Sequence, residues 1–292
     1  MILVVGAASR LGRVVTRLLL EAGHAVRATA RRRDRLEELA ALGAECAELD
    51  LRRPESFGPA LDGVTRVFAS AHGLTSRRGD SVDAIDLAGH TALIDAARAV
   101  GIERFVYTSA QGARVDHPAH FWAAKAAVEQ HLKAAGQPYT ILRPAAFMDL
   151  HAFELIGTPM LAGKTVHVLG DGRFSRNLVA ISDVAPIVLE ALTSDRYRDK
   201  TIDVLGPQDM SDVEIIAFYE QRLSRTGRVR FLPKAALGPL SRLMRPFHAG
   251  VANLMRLPLE LPLAQSAEDT PLPSVVGDSG LDTDPRLPPK SC

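Results

Sequence analysis

Only two cysteines, Cys46 and Cys292, occur in 292 residues, so the chain has no disulfide framework and no metal-ligand spacing. Cysteine usage of this kind fits a reducing cytoplasm. Charge of one sign is also missing: 35 basic and 34 acidic residues give no overall field for nucleic acid or an anionic membrane, so any phosphate binding must be local. No stretch approaches the ~18 consecutive apolar residues of a membrane span. No positive residue precedes Ile2, and the apolar run ends within a strand's length before Arg10, unlike a signal peptide. A soluble, cytoplasmic protein is expected, with a core built from 47% hydrophobic residues.

What is present begins at once. Met1-Ile2-Leu3-Val4-Val5 reads as a buried strand, Gly6-Ala7-Ala8-Ser9-Arg10-Leu11-Gly12 as a glycine-marked turn, and Val14-Val15-Leu18-Leu19 as an apolar helix face. A strand, tight turn and helix in that order form a nucleotide-binding unit. Gly6 allows the turn, Gly12 allows close helix packing, and the free N–H groups of the first helical turn receive a pyrophosphate. The middle glycine of the G-x-x-G-x-x-G spacing is Ser9, which narrows the room for backbone but can bring a hydroxyl to the anion.

Residues His24 to Ala30 alternate as a second strand. An NAD-preferring fold would follow it with a carboxylate for the ribose 2′-hydroxyl, and this chain has Arg31, Arg32 and Arg33 instead. A guanidinium fork binds a 2′-phosphate in two-point fashion, which favours NADP(H), with Arg31 the best placed because it directly follows the strand. The same run also reads as a solvated basic turn opening the next helix.

Further strands at 44–50, 64–69, 104–108 and 139–142 alternate with helices at 54–61, 83–100 and 121–135. Such alternation forces parallel pairing with right-handed crossovers, hence a doubly wound α/β sheet covered on both faces. Residues 1–150 are assigned to this Rossmann-type domain, with 180–206 returning to it. A small, mostly helical C-terminal substrate lobe takes 151–179 and 207–265. The first of these pieces reads as a variable connection. Ser182-Asp183 reads as an N-cap, and Ser211-Asp212-Val213-Glu214 as a capping box. Residues 266–292 are rich in Pro, Asp, Ser and Gly and are expected to be an extended or flexible tail.

With these pieces in order, the chain resembles the NmrA-like branch of the atypical short-chain dehydrogenase/reductase superfamily, over roughly residues 1–220. The resemblance is carried by Val5 to Gly12, Arg31, Ala96 to Ser109, His120-Phe121-x-x-Lys125-x-x-x-Glu129, Leu142 to Met148 and Ser182 to Ala185. It implies that Gly6, Ser9, Arg10, Leu11 and Gly12 wrap the pyrophosphate and that Arg31 meets the 2′-phosphate. Asp50 and Leu51 would then lie near the adenine, Ser70 and Ser109 would face the nicotinamide ribose, and Pro144 would border the cofactor. Asp50 equally reads as the cap of the following turn, and Ser70 as a plain strand end.

Typical members of that superfamily use a tyrosine four residues before a lysine, the phenol giving the proton and the ammonium lowering its pKa. Here Phe121 stands at the tyrosine position. Lys125 falls on the inward stripe of Phe121, Val128 and Leu132, where an ammonium needs a partner. The cofactor's ribose hydroxyls are one; snorkelling to the rim, or pairing with Glu129, is the alternative. His120 is the second catalytic candidate, because an imidazole titrates near neutral pH, although a solvated loop histidine fits the same position. Strand alternation leaves open which way Tyr107 faces.

Phe147, Met148, His151, Phe153 and Met160 are expected to line an apolar pocket for a flat or hydrophobic substrate such as a quinone, enone or phenolic compound, or else to pack the lobe onto the sheet. Three activities are weighed: an NADPH-dependent oxidoreductase, an NADP(H)-sensing regulator without turnover, and a sugar-nucleotide epimerase, which also needs the tyrosine. No metal, nucleic acid or membrane partner is expected, and association as a homodimer stays open.

Overall fold

The computed structural model describes residues 1–74, 81–245, 247–260 and 274–280. The opening residues fold as read: β1 (Ile2–Val5) is buried along its whole length and runs through the glycine turn into α1 (Arg10–Glu21). Buried on both faces, such a strand needs an unbroken apolar run rather than alternation. The unit then repeats through β2 (Val26–Ala30), α2 (Glu37–Ala41), β3 (Glu45–Glu48), α3 (Phe57–Leu61) and β4 (Arg66–Ala69). A π-helical stretch, Val82–Gly89, runs into α4 (His90–Ala99), followed by β5 (Arg104–Thr108), α5 (His120–Ala134) and β6 (Tyr139–Pro144).

After β6 the chain leaves the sheet through β7 (Ala146–Phe147), a second π-helical stretch (Asp149–Gly157), α6 (Thr158–Leu161), β8 (Val166–Leu169) and β9 (Arg176–Val179). It returns by α7 (Ile181–Thr193) and β10 (Lys200–Leu205), then continues as β11 (Gln208–Met210), α8 (Asp212–Leu223), β12 (Val229–Leu232), α9 (Lys234–Met244) and α10 (Ala249–Glu260).

The main sheet is parallel throughout, ordered β10-β6-β5-β4-β1-β2-β3, with one more strand, β13 (Ser274–Val276), on the β10 edge. This is the doubly wound Rossmann architecture. Two apolar clusters cover its faces: Leu11, Val15 and Leu19 of α1 with Val184 and Val188 of α7 on one, Leu93, Val128 and Leu132 of α4 and α5 on the other. A third cluster, around Met148, Ile156, Met160, Ile215 and Tyr219, is the core of the added lobe.

Three readings of the chain change. The stretch after residue 150 is ordered structure, and the lobe carries a three-stranded sheet β11-β9-β7 and a two-stranded sheet β12-β8 beside its helices, because short alternating runs such as Val166–Leu169 pair across the lobe. Helix α7 starts at Ile181, where Asp149 from the lobe accepts the Ile181 N–H at 2.9 Å, so its N-terminus is closed by a distant carboxylate rather than by Ser182-Asp183. Within the expected tail, residues 274–276 extend the sheet, and Ser279 donates through its backbone N–H and hydroxyl to Asp183 at 2.9 and 2.8 Å. Residues 266–273 and 281–292, Cys292 included, lie outside the described residues. Ser211 opens α8 with the capping box.

Candidate functional site

The turn after β1 is built to admit an anion. Gly6 has φ +87°, which only glycine adopts without strain, and a Cβ on Gly12 would meet the Gly6 carbonyl oxygen at 2.2 Å and Ala7 Cα at 2.8 Å. Ser9 has extended backbone and its hydroxyl oxygen accepts the Gly12 N–H at 3.0 Å, capping α1. The first-turn N–H groups of Arg10 and Leu11 have no partner inside the helix by geometry, and both residues, with Ser9, border one cleft. Gly6 and Gly12 shape the turn from beneath rather than lining the cleft.

At the C-terminal ends of β2 and β3 lies a separate cavity of about 350 Å³, lined by Arg31, Arg32, Glu48, Leu49, Asp50, Arg52, Arg53 and Ser56. Four guanidinium groups face two carboxylates there. Arg52 bonds both Asp50 oxygens and holds that carboxyl below its ordinary pKa, with burial opposing; Arg32 turns to Asp34. Asp50 also accepts the Arg52 N–H at 3.0 Å, so it closes its own turn as well as lining the cavity. Leu51 does not line it. Its side chain is buried in the core against Gly89, where a Cβ would meet Leu51 Cβ at 2.7 Å; Leu49 is buried in the same cluster and only edges the cavity.

The larger cleft, about 490 Å³, opens beside the turn at the C-terminal ends of β4, β5 and β6. Its borders include Ser70, Thr108, Ser109 and Pro144 from the sheet, Phe121, Trp122 and Lys125 from α5, and Phe147, Leu150, His151 and Glu154 from the lobe. Ligands in open α/β sheets bind at this edge. Glu154 forms an ion pair with Arg10, joining the lobe to the turn.

Lys125 lies on the cleft floor with its side chain 3% exposed, and its partner is not Glu129 but Asp86 of the first π-helical stretch, Nζ to Oδ1 3.1 Å, with Asp86 wholly buried. Lys125 also donates to the Thr108 carbonyl at 3.2 Å, and its ammonium stands over the rings of Tyr107 and Phe121 at 5.0 and 5.4 Å. Glu129 is taken by Arg143, at 2.8 and 2.7 Å, and by the Ser109 hydroxyl, which donates to it at 2.5 Å. Tyr107 faces the helices. Its phenol is sealed in the core against His90, and burial pushes its pKa well up; burial also pulls His90 down to about 4.

Four candidate residues stand outside the cleft. His120 is exposed at the start of α5 and bonds Asp83 at 2.7 Å, outside the cleft, because one residue along a helix turns the side chain by about 100° from the direction of Phe121. Met148 is 3% exposed and packs, like Met160, into the core of the lobe. Phe153 does not border the cleft. Phe147 and His151 do, and His151 is drawn down to about 3 by burial and the neighbouring Arg176.

The sequence reading missed Asp86, His72 and the arginines at 52 and 53. His72, three residues beyond β4, borders the cleft and stands edge-on to Phe121, ring centroids 6.3 Å apart. Burial against the cleft walls draws its imidazole below the ordinary value, with Asp86 opposing and Lys125 adding to the shift. Its place at a strand's C-terminal end was the available signal. For Asp86 there was none, because an acidic residue on a helix is ordinarily solvated. Among the described residues no group of His, Cys, Asp and Glu could hold a metal, and no helix is long and apolar enough to cross a membrane.

Comparison with known proteins gives the site its context. A family model described as NAD(P)H-binding matches residues 6–195. The chain is 31% identical to the photosystem II assembly factor Ycf39 of Cyanophora paradoxa, over 81% of this chain and 73% of that protein. It is also 31% identical to an NAD(P)H azoreductase of Xenophilus azovorans, over 74% and 72%. In fold it is similar to leucoanthocyanidin reductase of Vitis vinifera bound to NADPH, with TM-score 0.70, 17% identity and 94% and 92% of the two chains covered. The turn at Gly6–Gly12, the sheet-edge cleft and the family match agree: the chain belongs to the NAD(P)H-binding family of Rossmann-fold proteins, with a nicotinamide dinucleotide as its cofactor.

Proposed function

We propose that the protein is an NADPH-dependent oxidoreductase that reduces a flat, apolar carbonyl, enone or quinone. The observation that carries this reading is a buried ammonium, Lys125, held by Asp86 on the floor of an aromatic-walled cleft beside the dinucleotide turn. Gly6, Ser9, Arg10, Leu11 and Gly12 would hold the pyrophosphate, and Arg31 with the adjoining arginines the 2′-phosphate. When bound, the nicotinamide supplies hydride. Lys125 would hold the ribose and place positive charge where a substrate oxygen gains electrons. Phe121, Trp122 and Phe147 would sandwich a planar ring and exclude water.

A second reading, an NADP(H)-sensing regulator without turnover, is favoured by Phe121 at the tyrosine position; the assembly-factor relatives accord with it. Trp122, the only tryptophan, lines the cleft and reports binding by fluorescence. NADPH consumption across a panel of quinones and enones, abolished by Lys125→Ala while the Trp122 response to NADPH persists, supports the enzyme. Tight cofactor binding with no consumption across the panel supports the sensor.

The arginine cavity gives a separate prediction. Arg31→Ala weakens NADPH about 10–100-fold, the loss expected for hydrogen bonds to a charged group, and leaves NADH affinity unchanged. Calorimetric titration with both nucleotides checks it; equal weakening of the two removes Arg31 from the 2′-phosphate.

A further inference from the structure

The reductase reading, on which this inference rests, leaves the proton donor unassigned. Phe121 has no proton to give, Tyr107 is sealed in the core, and His120 faces Asp83 outside the cleft. His151 is on the lobe side beside Arg176, whose charge disfavours its protonation, whereas the carboxylate of Asp86 favours that of His72. His72 remains. It borders the same cleft as Lys125, and its ring stands edge-on to Phe121, 6.3 Å between centroids with the planes at 76°.

The loop that carries His72 is fixed to the lysine's own counter-ion. The backbone N–H of Gly73 donates to Asp86 Oδ2 at 2.7 Å, while Asp86 Oδ1 faces Lys125 Nζ at 3.1 Å. Gly73 is itself closely packed, since a Cβ there would meet the Ser81 carbonyl oxygen at 2.6 Å. One buried carboxylate therefore sets the position of both the ammonium and the imidazole-bearing loop. His72 is also exposed on its open side, so solvent can return a proton after each turnover.

We propose that His72 is the general acid that replaces the missing tyrosine in the reduction of a planar carbonyl or quinone. In that step the substrate's carbonyl carbon gains the hydride supplied by a reduced nicotinamide dinucleotide. The C=O π pair moves onto oxygen, and the oxygen takes a proton from His72 in its imidazolium form, which burial disfavours and the carboxylate of Asp86 favours: an O–H bond forms as an N–H bond breaks. A simple carbonyl becomes the alcohol, while a quinone first becomes a hydroxydienone, which loses the new C–H proton to solvent as its second carbonyl oxygen is protonated by solvent, giving hydroquinone; the dinucleotide is left oxidised and the imidazole neutral until solvent reprotonates it. Lys125 opposes the charge that gathers on the oxygen.

His72→Gln should lower turnover with a quinone that the wild type reduces by ~100-fold or more, as removal of a general acid does. The Trp122 fluorescence response to NADPH should stay unchanged, and added imidazole should restore part of the rate. His120→Ala should turn over as the wild type does. In the wild type, the His72 ring proton signals, assigned by their absence from His72→Gln or, if that variant folds poorly, from His72→Asn, should shift when benzohydroquinone is added with NADP⁺. Wild-type turnover in His72→Gln and His72→Asn overturns the proposal and leaves the reductase reading standing. Ring signals that stay still while Trp122 reports hydroquinone binding also overturn it. Absence of turnover in the wild type overturns both.

Discussion

Gly12→Ala abolishes useful cofactor binding, raising the dissociation constant for NADPH and NADH alike by ~100-fold or more, about 3 kcal/mol. The reason is local. An added Cβ would stand 2.2 Å from the Gly6 carbonyl oxygen and 2.8 Å from Ala7 Cα, backbone atoms that cannot swing aside as a flexible side chain would. Helix α1 must lift from the turn, which moves the Arg10 and Leu11 N–H groups from the anion and breaks the Ser9 cap that receives the Gly12 N–H at 3.0 Å. Overpacking of this kind also costs about 1–3 kcal/mol of stability. Titration followed by Trp122 fluorescence, paired with thermal unfolding, separates the two effects. Native affinity for both nucleotides in a folded Gly12→Ala protein would show that the anion is held elsewhere.

The second large effect concerns stability. Lys125→Met lowers the unfolding free energy by about 3–5 kcal/mol, the loss expected when one member of a buried ion pair is removed and its partner stays behind. Asp86 is wholly buried, and of its two oxygens only Oδ2 keeps a strong donor, the Gly73 N–H. The double variant Lys125→Met with Asp86→Asn should recover most of the loss, because replacing both charges removes the stranded carboxylate. Urea unfolding of the two single variants and the double variant forms the cycle that checks it. Purely additive losses would mean that the pair is not energetically coupled.

Much of the frame was legible because its signals are local. A strand's length of apolar residues running into Gly6 and Gly12, the arginines at the end of β2, and the regular strand–helix alternation each depend on near neighbours, and parallel pairing follows from the long crossovers. Lys125 stood out for a similar reason, as a charge on an apolar stripe. The lobe was harder to read. Runs as short as Ala146–Phe147 and Ser274–Val276 become strands only because another chain segment lies alongside, and no local periodicity announces that. For His120 and Met148 the sequence left two positions open by the same limit, and the structure takes the solvated histidine and the lobe-packing methionine, since a single residue's shift along a helix changes the side it faces.

The sequence by itself determined the dinucleotide turn, the basic end of β2, the doubly wound sheet and the loss of the tyrosine, all properties of residues close together along the chain. Tertiary structure alone decided that Asp86, not Glu129, faces Lys125, that Glu129 belongs to Arg143, and that His72 stands beside Phe121. Those partners are separated by dozens of residues in two of the three cases. Which acid meets which base is fixed by the packing of α5 against the Val82–Gly89 stretch and the strand ends, and a buried charge takes whichever partner that packing brings within reach.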